Sequence, residues 1–174
     1  MTAFTKLIML ISLLVLMIGG GFSFYLAAQG GGAVAITSTD ERGVALDGFD
    51  AVAYHTARAP QKGVEKFQVS WAGSLWYFTN LENRQSFSRN PEKYMPAFGG
   101  HDPYGMATGG IIQPATPELW EISKGRLYLF YSGKTRTLWH ENKQNNLKKA
   151  TLHWTRIKQQ TLYKAALTRK SRMF

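Results

Sequence analysis

Residues 76–101, WYFTNLENRQSFSRNPEKYMPAFGGH, constrain this chain more than any other stretch, because they set an aromatic strand, two capped helix starts and a paired-glycine loop in one order. Asn80 can cap a helix that carries Glu82 in its first turn and Phe87 on its buried side. Asn90-Pro91-Glu92 supplies a second start, with Asn as the cap and Pro at the first helical position. Both helices are expected to be short.

Two flanking segments alternate as hairpins do. In FQVSW-AG-SLWYF, a turn at Ala72-Gly73 places Phe67, Val69, Trp71, Trp76 and Phe78 on one face and Gln68, Ser70, Leu75 and Tyr77 on the other. In LWEIS-KG-RLYLF, a turn at Lys124-Gly125 gathers Trp120, Ile122, Leu127 and Leu129 on one side, opposite Glu121, Ser123, Arg126 and Tyr128. Both hairpins share Gly, any residue, Leu, aromatic, any residue, Phe, from Gly73 to Phe78 and from Gly125 to Phe130. So few positions do not establish a repeat, and the expectation is convergent hairpin chemistry.

Beyond the second hairpin two helices are expected, from Thr135 to Lys149 and from Leu152 to Leu167, parted by Ala150 and Thr151. Trp139, Leu147, Trp154, Ile157 and Leu162 should face inward and the lysines water. The fold class expected is α+β: a small single domain with two short antiparallel β-hairpins and several short helices, preceded by an N-terminal transmembrane helix.

That helix is read from the stretch that starts at Leu7 and ends at Ala28, which carries no charge. At about 1.5 Å per residue it reaches roughly 30 Å, the thickness of a bilayer core. A cleaved signal peptide is the competing reading, with Leu7 to Ile18 as its apolar region and a small-residue site at Leu26-Ala27-Ala28 or Ala33-Val34-Ala35. The apolar run through Phe22, Phe24 and Tyr25 exceeds ordinary signal length and favours the anchor. Either reading puts the rest of the chain outside the cytoplasm, and the uncleaved anchor, with Lys6 inside, makes it a single-pass protein of a bacterial inner membrane whose domain is periplasmic. Residues 30–42, with Gly30-Gly31-Gly32 and a polar run from Thr37 to Arg42, read as a flexible linker. The domain is expected over 43–154 and a basic helix and tail over 155–174.

Charge and cysteine content narrow the chemistry. The net charge of +10 resides in the tail: residues 142–174 hold nine Lys or Arg and no acid. On a protein tethered to a bilayer, Lys148, Lys149, Arg156, Lys158 and Lys164 suit anionic lipid headgroups, and a solvated helix face is the alternative. Nucleic acid is not an expected partner, since no nucleic-acid motif accompanies the charge. With no cysteine there is no disulfide, thiolate ligand or thiol nucleophile. There is also no Gly-x-Ser-x-Gly, no His-Glu-x-x-His and no phosphate-binding glycine loop.

The residues after the second helix start, Phe98-Gly99-Gly100-His101-Asp102-Pro103-Tyr104-Gly105-Met106, set an imidazole, a carboxylate, a phenol and a thioether behind two glycines. Paired glycines permit positive φ or close approach to a ligand. His101, Asp102 and Met106 are candidate metal ligands, to which His55, His140 or Asp50 would have to add; Gly99, Gly100 and Tyr104 are candidate ligand-binding residues. The other reading is structural, with Gly-Gly making a tight connection and Asp102 turning the chain before Pro103.

Together with GVALDGFDAVAYH before it and LWEISKGRLYLFY after it, the 76–101 stretch resembles the YHS-domain family of small bacterial proteins, over roughly Val44 to Trp154. In that family the glycine loop commonly reads Tyr-Gly-Gly-Tyr-Cys-Ala-Tyr, and its cysteine is the candidate for metal or redox work. Aligned on the glycines, this chain has His101 at the second aromatic, Asp102 at the cysteine and Pro103 at the alanine, and it retains Tyr104. A carboxylate in that place does no thiol chemistry and favours harder metal ions than a thiolate would. The earlier segment matches the family's Leu-x-Gly-Tyr-Asp-Pro-Val-Ala-Tyr with Phe49 for Tyr and Ala51 for Pro, which makes Asp50 and Tyr54 candidate ligand-binding residues. Their structural reading is a turn cap for Asp50 and a core aromatic with a surface hydroxyl for Tyr54, while His55 marks a strand's end.

The function expected is a membrane-anchored, extracytoplasmic, non-enzymatic module that binds a ligand or a transition-metal ion through the loop from His101 to Met106. An interaction module that docks a membrane protein partner without ligand is the alternative. An enzyme with His101 or Asp102 as general base is a third.

Overall fold

Period-two alternation and two glycine turns produce the hairpins that the sequence predicts. The computed structural model describes residues 37–171. Strand β1 (Val64–Trp71) pairs antiparallel with β2 (Ser74–Phe78), and β3 (Thr116–Ser123) with β4 (Arg126–Phe130), as two separate two-stranded sheets. The pairs Val69 with Trp76 and Ile122 with Leu127 give the expected registers. Both residues of each turn have positive φ, 50° and 80° at Ala72-Gly73 and 50° and 74° at Lys124-Gly125, which matches the twist of the flanking strands.

Six helices accompany the strands among the described residues: α1 (Ala53–Thr56), α2 (Leu81–Arg89), α3 (Pro91–Tyr94), α4 (Pro103–Gly109), α5 (Gly133–Glu141) and α6 (Lys143–Ser171). The Asn80 side chain accepts from Asn83 N and that of Asn90 from Lys93 N, so both predicted caps form. Three expectations fail. The break in the C-terminal helices falls at Asn142 (φ −143°, ψ 56°), not at Ala150-Thr151, because Asn142 caps the 29-residue α6 by accepting at its carbonyl from Asn146 N. Leu147 and Leu162 are 37% and 47% exposed instead of inward. His55 lies in a helical turn rather than at the end of a strand. The transmembrane segment from Leu7 to Ala28 lies outside the described residues, among which no helix is long and apolar enough to cross a membrane. The domain begins before Gly43: Ser38 N donates to Gly99 O at 2.8 Å, and Leu46 N to Ser38 O at 3.0 Å.

The two hairpins share more than the turn chemistry expected of them. They are the centres of two copies of one unit, displaced by 52 residues (Asp50 to Asp102). Among the described residues, every position of positive φ except Gly43 has a counterpart at that spacing: Leu46 and Phe98, Asp47 and Gly99, Gly48 and Gly100, Arg58 and Gly110, and the two turns. The isolated bridge Phe49–Lys62 recurs as His101–Pro114, and the irregularity between Val64 and Gln68 recurs between Thr116 and Trp120. Buried Trp76 packs on Phe87 with ring centroids 4.9 Å apart, and buried Tyr128 on Trp139 at 5.8 Å. So many matched irregularities cannot come from hairpin chemistry alone, which governs only the turn.

Each unit is tied together by a fully buried carboxylate. Asp50 Oδ1 accepts from Val52 N (2.8 Å) and Ala53 N (3.1 Å); its Oδ2 accepts from Thr79 N (2.9 Å), Thr79 Oγ1 (2.9 Å) and Asn83 Nδ2 (2.7 Å). In the second copy Asp102 Oδ1 accepts from Gly105 N (2.7 Å), and Oδ2 from Tyr131 N (2.8 Å) and Thr135 Oγ1 (2.7 Å). The far partners sit 29 and 33 residues on in both copies. A buried carboxylate is tolerated only when its lone pairs are filled, so each Asp holds a helix start, the end of a hairpin and the following helix in one geometry.

Two apolar cores result, and the second hairpin forms the wall between them. Trp120, Ile122, Leu127 and Leu129 face the core built on Val52, Tyr54, Trp76, Phe78 and Phe87. Tyr128, Phe130 and Leu119 face the other, with Phe98, Met106 and Trp139. Asp50→Ala should lower the unfolding free energy by about 3–5 kcal/mol and Asp102→Ala, with fewer donors to strand, by about 2–4 kcal/mol. Urea titration followed by tryptophan fluorescence reads both.

Candidate functional site

The loop from Phe98 to Met106 is interior. Gly99, Gly100, His101 and Asp102 are buried, Met106 is wholly buried and Tyr104 is half-buried on α4. Gly100 has φ +84°, and a Cβ there would lie 2.6 Å from Leu46 Cδ2, so the second glycine lets the two copies approach each other. Phe98 at φ 54° would suggest stored strain at a site, but Leu46 repeats it at φ 55° in the first copy. The conformation therefore belongs to the unit and not to chemistry peculiar to this loop.

Asp102 is the cap of α4 and the tie to α5, with its oxygens occupied by three donors. The His101 ring packs 6.4 Å from that of Trp154. The carbonyl of Met106 accepts from His153 Nδ1 at 2.8 Å, which docks α6 on α4. The further donors named from sequence are dispersed. Asp50 is saturated in the other copy, and His55 stands edge-on to Tyr94 at 5.5 Å. Burial, then the charges of Lys93 and Arg58, pushes the His55 imidazole below its ordinary pKa of 6.5. His140 pairs with Glu121 on the surface. Among the described residues no group of three or more His, Cys, Asp or Glu could hold a metal ion. Among the described residues, therefore, His101 and Asp102 gain no third His, Cys, Asp or Glu ligand.

Tyr54 is wholly buried, and its hydroxyl donates to Pro117 O at 2.9 Å instead of reaching the surface. Burial raises its pKa, and the charges of Glu118, Asp50 and Asp47 add to the rise. It thus serves as a fixed donor that joins the first copy to β3.

Among the described residues, a cleft opens beside the loop. It has a volume of about 610 Å³ and runs between the turn of the first hairpin, the 92–99 segment, β4 and α6. Trp71, Met95, Phe98, Tyr128, Trp154 and Leu162 give it apolar walls, with Arg126 and Lys158 among its lining residues. Trp71 Nε1 donates to Met95 Sδ at 3.2 Å, and Arg126 Nη1 to Glu92 O at 3.3 Å, so both sides are braced. Of the candidate site residues named from sequence, Gly99 and Lys158 reach this cleft. Trp71, Met95, Arg126 and Tyr128 were not foreseen as site residues, because they come from three distant segments, β1, the turn after α3 and β4, and share no local motif. The cationic positions on α6 divide similarly: Lys158 borders the cleft, while Lys148, Lys149, Arg156 and Lys164 are exposed.

A second polar cluster fastens α6 to the second hairpin. Glu121 Oε1 accepts from Lys143 Nζ at 2.9 Å, Lys143 also donates to Ser123 Oγ at 3.1 Å, and His140 Nε2 lies 2.7 Å from Glu121 Oε2. Because Lys143 is ion-paired, it is not placed as a base for Ser123, and the cluster acts as a clasp.

No family model, curated protein or solved structure matches this chain. The resemblance to YHS domains rests on the residues quoted for it.

Two outcomes follow. Gly100→Ala should cost about 1–2 kcal/mol of stability, since it strains a left-handed backbone and displaces Leu46. For Glu121, burial works to raise the pKa, but the bonds from Lys143 and His140 outweigh it and hold the carboxyl below its ordinary 4.5. A lowered carboxylate pKa stabilises the fold fully above the unfolded value and loses that contribution as pH falls through the folded one. The melting temperature of Glu121→Gln should therefore lie below that of the wild type above pH 4.5, and the gap should close as pH drops further.

Proposed function

We propose that this chain is a membrane-tethered, extracytoplasmic binding module, non-enzymatic, whose ligand occupies the cleft between the first hairpin, the 95–99 segment and α6. The observation that carries this reading is the cleft itself. It has the size of ordinary ligand pockets, about 300–1,000 Å³, and is walled by aromatic side chains from four segments with a few polar groups at its edge. The uncharged stretch from Leu7 to Ala28 supports the tether, and its length suits one crossing.

The reading moves the site from the His101 to Met106 run to the face beside it. Asp102 and His101 shape the wall from behind: the first fixes α4 against α5, and the second packs on Trp154, whose indole lines the cleft. A general base must reach a substrate proton, whereas Asp102 is wholly buried and already accepts three hydrogen bonds. The geometry thus favours binding over catalysis.

The test uses the full chain in lipid nanodiscs with a decanoate bearing a photoreactive diazirine. Mass spectrometry should place the label on peptides that contain Met95–Phe98 and Trp154–Leu162. Thr151→Trp, which adds a ring at a lining position, should remove that label while leaving cooperative unfolding intact. Labelling confined to other surfaces would refute the cleft as the site.

A further inference from the structure

We infer that the cleft selects a single-chain amphiphilic anion, an apolar chain that ends in a carboxylate; this rests on the cleft being the binding site. The lining is divided by chemistry. Trp71, Met95, Phe98, Tyr128 and Trp154 present aromatic rings and a thioether, which suit an apolar body. Arg126 and Lys158 are exposed cations from β4 and α6, and among the described residues Glu92 is the one acid in the lining. Glu92 uses its backbone carbonyl to accept from Arg126 Nη1 at 3.3 Å, which fixes one nitrogen of the guanidinium beside the cleft. The excess charge of the lining is therefore positive. A neutral amphiphile gains at most a hydrogen bond from the two cations and no ionic attraction, and a cationic one is repelled by them.

Arg126 has a second mark. It stands where the first copy has Ser74, a buried residue paired with Trp71 across its turn. The same backbone position thus carries a small buried hydroxyl in one copy and an exposed guanidinium at the cleft in the other. The repeat geometry has no need of a cation there, since the first copy forms the hairpin without one. Lys158 lies on the part of α6 that has no counterpart in the first copy, where α3 ends at Tyr94. Both cations are thus additions to the shared unit, and both border the same cleft.

Two cations beside one apolar lining suit a single chain with one charged head, so the proposed source is a free acyl carboxylate and not a bilayer phospholipid. The experiment is competition against the photoreactive decanoate on the full chain in phosphatidylcholine nanodiscs. Unlabelled decanoate should displace the probe, and decanol and decyltrimethylammonium should do so at least about tenfold less well. The pair Arg126→Ala/Lys158→Ala should weaken displacement by decanoate about tenfold, as two exposed charge contacts permit, and Arg126→Lys/Lys158→Arg should restore most of it. Cleft labelling displaced equally by all three competitors would overturn the anion selectivity and leave the cleft reading standing; no cleft labelling would overturn both. Displacement by phosphatidylglycerol in the nanodisc, without added decanoate, would instead assign the anion to the bilayer and overturn the free acyl source.

Discussion

The fold depends on two carboxylates taken out of water. Asp50 and Asp102 each gather donors from a helix start, from the first residue after a hairpin and from the helix beyond. Neither could be buried singly without cost, and the surrounding donors could not be buried without it. The demand is mutual, so the loop before each Asp is drawn into its left-handed turn and the hairpin end is held against it. The residue that looks most reactive in the sequence is the one most fully engaged in holding the second copy together.

From the same backbone the two copies diverge in what they enclose. In the first, Pro96 follows α3, Met95 takes an extended ψ of 134°, and the helix ends after four residues. In the second, no proline follows Pro117, and α6 runs for 29 residues, about 43 Å. Its first half is pinned by Asn146, whose Nδ2 donates to the Leu138 and Trp139 carbonyls, and by His153 on Met106. The helix lies over the 95–99 segment that leads from the first copy into the second, and the cleft is the space between them. The repeated unit supplies the frame, and the longer helix supplies the cleft.

The second hairpin shows why burial differs between copies that share a pattern. Glu121, Ser123 and Tyr128 form a polar face on paper, yet Tyr128 is buried and Glu121 is largely covered. The covering comes from α5 and α6, which pack on that face through Trp139 and the Lys143 clasp. The first hairpin lacks such a cover, and Gln68 and Ser70 remain exposed. Alternation states which residues share a face; it does not state whether both faces are covered.

Hairpin registers, the caps at Asn80 and Asn90 and the α+β class were legible in the sequence, because each is set by interactions within a few residues. The repeat was not. Gly48 and Gly100, Asp50 and Asp102, Gln61 and Gln113, and Leu75 and Leu127 are identical pairs, but Asn83 and Thr135 share only a hydrogen-bonding role, and Trp76 and Tyr128 only a buried ring. What the copies conserve is backbone conformation and donor geometry, which several side chains can satisfy. The glycine loop stood out correctly as unusual, but its purpose, close approach to Leu46, is a contact between residues 54 positions apart in the chain. The sequence by itself determined the local elements and their order, since short-range sterics and capping decide those. Tertiary structure alone decided that Asp102 is a strut and that Trp71, Arg126 and Lys158 meet around one cleft, since long-range packing brings together residues that no local pattern links.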